Sequence, residues 1–376
     1  MPMKKRFSII WKALAYTLSV VVCVVLLAAV ATGSGMAEAG SVTHMDVELM
    51  DRFDMSLTNR LSEAMGGMLA IDKVYWLSDD DIVAPEPDQS KYGSTTDPST
   101  LDWLMEDAQD ILKGQETVFH TGIQIARGTK VEYYLDDTIF AVTWKQGINH
   151  GMYTFSEIKI AHPSQFRRYL AGGEYGSGIK LKTSQMAATV NAVVASSGDF
   201  YAHRQHGVIV YDGTVQRINS RFVDTCYINE RGDMVFTRAG ELPDMESAQR
   251  FVEDNDIRFS LAFGPILIDH GKLEYRYNYI IGEIEGPYPR AALAQKDTLH
   301  YLLVTLNTEK QYGCNSDLYT FGKVIEGLGV EKAYTLDGGQ TAVIAMNDRV
   351  INAVLYGNQR NISDIIYFAT AKPDGG

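Results

Sequence analysis

The chain has 376 residues, 45% hydrophobic and 22% charged, enough for one large domain or two smaller ones around a sizeable core. Against 34 Lys and Arg stand 47 Asp and Glu, a formal net charge of −13. That field repels phosphate backbones, which argues against nucleic acid as a partner and requires an anionic substrate to find a local cationic site.

Residues 1–40 set the expected compartment. Lys4, Lys5, Arg6 and Lys12 precede ALAYTLSVVVCVVLLAAVA, an uncharged run over residues 13–31 that is long enough to cross a bilayer as a helix with its basic flank inside the cell. Two readings follow. One is an uncleaved single-pass anchor in the cell membrane with the C-terminal bulk extracytoplasmic, favoured by the length of the run. The other is a signal peptide cleaved near Ala37-Glu38-Ala39, which leaves a secreted protein.

Residues 41–116 read as a helix-leaning linker or stalk. PSTLDWLMEDAQDILKG predicts a helix with Asp97 or Ser99 as cap and Gly114 as stop. Before it, SDDDIVAPEPDQSKYGSTTDPST has the composition of an exposed linker. From residue 117 to 376 the texture is short alternating runs broken by Asp-Gly, Gly-Asp and His-Gly turns, with few helices. The clearest helix is SDLYTFGKVIEGLG, with Ser316 as a possible cap, Gly329 as stop, and Leu318, Phe321, Val324, Ile325 and Leu328 as one apolar stripe. The expected class is therefore α+β: a mixed, mostly β-sheet core flanked by a few helices, behind a transmembrane helix and a helical linker. Of the three cysteines, Cys23 sits in the apolar run, while Cys226 and Cys314 read as unpaired thiols and no Cys and His spacing suits zinc.

Several segments carry candidate chemistry. In ASSGDFYAHRQHG, Ser197 and Gly198 end a strand, and Asp199, His203, Arg204 and His206 gather beyond it, offering a carboxylate, proton carriers and an anion clamp. In GPYPRAALAQKD, two prolines deliver Arg290 from a rigid loop, a residue suited to bidentate contact with phosphate. In AYTLDGGQTAVIAMNDRVINAV, Asp337 follows a strand, and an Asn347-Asp348 turn closes a hairpin. Gly338 and Gly339 free the backbone to aim N–H groups at an anion, and Thr341 adds a hydroxyl. No helix and no Lys-Ser or Lys-Thr follows these glycines, so they do not form a Walker-type phosphate loop. FGPILIDHGK reads as a structural turn and strand.

In order, NAVVASSGDFY, FGPILIDHGK, PYPRAALAQ, AYTLDGGQTAVIAMNDRVIN and ISDIIYF resemble the phosphodiester glycosidase family over residues 117–371. That family includes exported bacterial members and the enzyme that uncovers mannose 6-phosphate groups by removing N-acetylglucosamine. Gly198, Asp199, Phe200, Tyr201, Pro289, Arg290, Ala292, Leu336, Asp337, Gly338 and Gly339 match its pattern, whereas Ser197, Ala291, Ala294, Gln340 and Ala342 depart from it. The resemblance implies a hydrolase of sugar-1-phosphodiesters in surface or environmental glycans. Asp337, Asp199 and Arg290 would be catalytic. Ser197, Gly198, His203, Arg204, Gly338, Gly339 and Thr341 would line the substrate. No cofactor is implied, although a divalent metal stays open. The departures keep a second expectation alive, a degenerate, glycan-binding envelope protein of the same fold.

Overall fold

A strand at residues 290–297 and its neighbours organise the structure, a computed structural model that describes residues 75–76, 83–121, 125–149, 151–274, 279, 285–307 and 316–373. The apolar run at 13–31 and the first part of the expected linker region, residues 41–74, lie outside them, as does Cys314. Among the described residues no helix is long and apolar enough to cross a membrane.

Residues from Lys73 onward cluster as one unit. Its largest sheet has nine antiparallel strands among the described residues, in the order Lys272–Leu273, Ile266–Asp269, Lys332–Leu336, Arg290–Asp297, His300–Asn307, Gly151–Ile160, Ile139–Ile148, Val131–Leu135 and Tyr92–Thr95. A second sheet orders Arg349–Val350, Ile344–Met346, Val194–Ser197, Asp364–Phe368 and Phe166–Leu170. A third orders Met234–Thr237, Thr225–Asn229 and Ile257–Leu261. The two-residue period of a strand sorts side chains between faces. Ala291 and Leu293 enter a core shared with Val194, Ile344, Ile366, Phe368, Ile228 and Leu261 from the other sheets. Ala292 and Ala294 face the opposite way, into a second core that also takes Leu104 from the helix Pro98–Asp107 and Leu318, Phe321 and Ile325 from the helix Leu318–Glu326. A further helix, Thr183–Thr189, covers the outer face of the second sheet through Met186 and Ala187. The expected α+β class with a mostly β core is the one observed.

Local signals decide several elements. Asp212-Gly213 and Asn347-Asp348 both take positive φ and close two-residue hairpins, the geometry whose twist matches paired strands. The stripe Leu318, Phe321, Val324, Ile325 and Leu328 is buried as expected, but Asp317, not Ser316, caps the helix by accepting from Thr320 N at 2.7 Å. Asp97 caps the earlier helix, and Lys113 and Gly114 end that region with positive φ. The acidic, Pro-rich segment before it departs from its linker expectation: Tyr92–Thr95 pairs with Val131–Leu135 as an edge strand. Its anchor is aromatic. Tyr92 packs on Tyr134 with centroids 4.6 Å apart, and Gly93 lies so close to the Tyr133 ring that a Cβ would come within 2.2 Å of it. Cys226 is a buried free thiol.

Candidate active site

The motifs of the sequence converge where strands of the first two sheets end. Ala291 stands opposite Leu336, so the antiparallel register brings Arg290 beside Asp337 along the backbone. Gly339 N donates to Pro289 O at 2.9 Å, and a Cβ on Gly338 would sit 2.4 Å from that same oxygen. This close approach explains why glycine occupies position 338. The Ser197 hydroxyl donates to Thr341 O, and Ser197 N donates to Val343 O at 3.3 Å. The three segments around residues 197, 290 and 337 are thus joined by direct hydrogen bonds.

Asp337 is buried at this junction, 8% exposed. Burial raises its pKa above the ordinary carboxyl value, opposed by Arg204, the Thr341 hydroxyl, Arg360 and His203. The group therefore holds its proton to higher pH than a surface carboxyl while cations wait to stabilise the ionised form. Arg204 is half-buried with its guanidinium 4.0 Å from the Phe263 ring centroid. His203 is exposed and stacks on Phe200, centroids 5.1 Å apart and planes 18° from parallel. Thr341 Oγ1 donates to Gly338 O at 2.6 Å, closing the turn that carries the carboxylate.

Asp199 is placed differently. It is fully buried, with Oδ1 2.7 Å from Arg168 Nη2 and Oδ2 accepting from Ala262 N at 2.6 Å. Arg168 also meets Asp364 Oδ2 at 2.9 Å, so one buried guanidinium joins two buried carboxylates. Burial pushes the Asp199 pKa up to about 7, opposed chiefly by Arg168 and helped by the neighbouring Asp364. Burial also works against the Arg168 charge, but Asp199 and Asp364 more than offset it. Asp364 accepts from Asp199 N at 3.2 Å and from Phe200 N at 2.9 Å. It thereby fixes Phe200 at its positive φ of 54° and aims the loop that carries His203 and Arg204. Gly198 has to be small here, because a Cβ would fall 1.9 Å from Asp364 Oδ2. Arg217 laces the same loop from outside, donating to the carbonyls of Tyr201, Arg204 and His206.

Arg290 is buried and donates through Nη2 to Gly286 O at 2.7 Å, bracing the turn before its strand. His206 contacts Asn219 and the Phe222 ring. Sequence reasoning passed over Arg168, Arg360 and a role for Asp364. The usable signal was a charged pair, Arg167-Arg168, inside an otherwise apolar strand, since a buried charge needs a partner. Among the described residues no group of His, Cys, Asp or Glu has the arrangement of a metal site. A separate depression of about 350 Å³, between residues 173–175 and 211–216, includes none of these candidates.

Asp337 is thus a buried carboxyl group of raised pKa, with Arg204, Arg360 and His203 near enough to oppose that rise. Residues 190–369 match the family model described as phosphodiester glycosidase. No curated protein matches the chain in sequence. Among solved structures, it is similar to the zebrafish N-acetylglucosamine-1-phosphodiester alpha-N-acetylglucosaminidase catalytic domain, auto-inhibited by its pro-peptide, at 18% identity and a TM-score of 0.48. That match covers 64% of this chain and 83% of the other. It is also similar to a hypothetical protein from Synechocystis, at 13% identity and a TM-score of 0.43, covering 62% of each chain.

Proposed function

We propose that the protein hydrolyses sugar-1-phosphodiesters in surface or environmental glycans, as an exported enzyme tethered by the apolar run at residues 13–31. The observation that carries this reading is Asp337, a buried carboxyl group of raised pKa with Arg204 and His203 at its side, within the family-matched residues.

The chemistry follows from the charges. When the bond between the anomeric carbon and the phosphate oxygen breaks, negative charge grows on that oxygen, and the sugar develops oxocarbenium character. Asp337 delivers its proton to the departing oxygen. Water supplies hydroxyl to the anomeric carbon and its remaining proton restores the carboxyl group. Arg204 offers its guanidinium to the phosphate; the Gly339 N–H, expected from sequence to face the anion, is instead taken up by Pro289 O. Asp199 serves as an orienting residue through Arg168, and Arg290 holds the turn at 286–289 against the Asp337 strand.

The test is sugar release from a panel of sugar-1-phosphodiesters by the full chain and by Asp337→Asn. Release by the wild type and its loss in the variant is the expected outcome; no release from any diester sinks the reading. Retained binding of anionic glycan without turnover would instead favour the degenerate, glycan-binding alternative, which the changes at Gln340 and Ala342 motivate.

A further inference from the structure

The Phe200 ring is 4% exposed, yet an imidazole and two cationic side chains surround it. His203 stacks on it, Lys180 Nζ lies 5.2 Å from its centroid, and Arg360 Cζ lies 5.5 Å from the same point. Lys180 and Arg360 are exposed. Among the described residues neither makes an ion pair with a carboxylate, although acidic residues outnumber basic ones in the chain. Two like charges gathered around one ring repel each other, Arg360 also acting through space on Asp337, and an anion that met both would remove that repulsion.

Their positions are built into the fold. Leu181 and Ile362 form an antiparallel bridge, with hydrogen bonds of 3.0 and 2.8 Å, that sets the two cations' segments side by side. Gln359 exchanges two hydrogen bonds with Ser184, at 3.1 and 2.8 Å. Gln340 reaches the same loop: its O accepts from Arg360 N at 3.5 Å and its Nε2 donates to Asn358 O at 3.4 Å. The turn that carries Asp337 is therefore tied to the segment that carries Arg360, through a residue that departs from the family pattern.

We propose that Arg360 and Lys180, set against Phe200 and tethered by Gln340, form an oxyanion subsite that takes the phosphate group of the substrate. This assignment rests on the reading of the protein as a phosphodiester hydrolase. It adds specificity for the phosphate side of the diester, with Gln340 as the residue that positions Arg360.

Titrating inorganic phosphate into the full chain by calorimetry tests it. Wild type binds phosphate, Arg360→Gln weakens binding about tenfold or more, Lys180→Gln weakens it by a smaller factor, and Arg360→Lys recovers part of the loss. Gln340→Gly weakens binding as well, with Arg360 intact. Phosphate also inhibits diester hydrolysis competitively. Wild-type affinity in both Arg360→Gln and Lys180→Gln, the absence of any phosphate binding by wild type, or non-competitive inhibition would each overturn the subsite. Both cations are exposed, so thermal midpoints of the variants stay near wild type and separate lost binding from lost folding. The two readings fail separately: no sugar release from any diester removes the reaction and leaves the phosphate titration to judge the subsite, and undiminished hydrolysis by Asp337→Asn removes only the role of that carboxyl group.

Discussion

Asp337 combines two opposing influences, and their balance predicts its pH behaviour. Burial raises its pKa, while Arg204, Arg360 and His203 pull it down. A general acid works while protonated, so kcat/KM falls as pH rises through that pKa, above the ordinary carboxyl range. Arg204→Gln removes the largest charge opposing the rise. The alkaline limb should therefore move to higher pH even as the maximal rate drops; a limb that stays put, or moves down, rules out Asp337 as the titrating group. Asp337→Asn should lower kcat by about a hundredfold or more, the usual worth of a positioned proton donor. Asp199 supplies a separate prediction about stability. Its folded-state pKa, about 7 against 3.8 for the free group, means the native state binds its proton more tightly than the unfolded state. The contribution of this group is fully present below pH 3.8 and is lost as pH rises through about 7. Denaturation midpoints taken across that window should fall more steeply in wild type than in Asp199→Asn, and parallel curves would count against the assignment.

At the scale of elements, the turns at 198 and 338 succeed because glycine admits close neighbours. Gly338→Ala would press a methyl group into Pro289 O, a backbone atom held in the central sheet, and Gly198→Ala would press one into the Asp364 carboxylate, itself locked to Arg168. Each should cost about 1–3 kcal/mol in urea denaturation. Gly338→Ala should also depress diester hydrolysis, because relief of the clash moves Asp337. A Gly338→Ala protein of wild-type stability and rate would show that the close approach is not needed. These elements also mark how far the sequence was readable. The hairpins at 212–213 and 347–348, the stripe of 318–328 and the strand ends at 197 and 336 follow from local patterns, because the residues that determine them are neighbours in the chain. The edge strand at 92–95 did not, since its composition reads as linker and its stabilising partners, Tyr133 and Tyr134, lie 40 residues on. Arg168, Asp364 and Arg360 were missed for the same reason: each acquires meaning only from side chains brought to it by sheet pairing. Gln340, a departure from the family pattern in sequence, becomes interpretable once its contact with Asn358 is seen.

Across the whole molecule, a net charge of −13 and a cationic site act on an anionic substrate with opposite signs and different ranges. The net charge repels the substrate over distances set by the Debye length, about 30 Å at 0.01 M salt and about 8 Å at 0.15 M. In the proposed site Arg204 and Arg360 meet the substrate directly, and Arg204 is half-buried, where salt screens less. Adding salt from a very low concentration should therefore first help, by suppressing the long-range repulsion while the local attraction persists. Above roughly physiological ionic strength the contact attraction weakens in turn. KM for a sugar-1-phosphodiester should pass through a minimum as salt rises, and Arg204→Gln should flatten its high-salt side while leaving the low-salt side in place. A KM that rises monotonically from the lowest salt would mean that the local cations dominate at every range, and one that falls throughout would mean that they contribute nothing to binding.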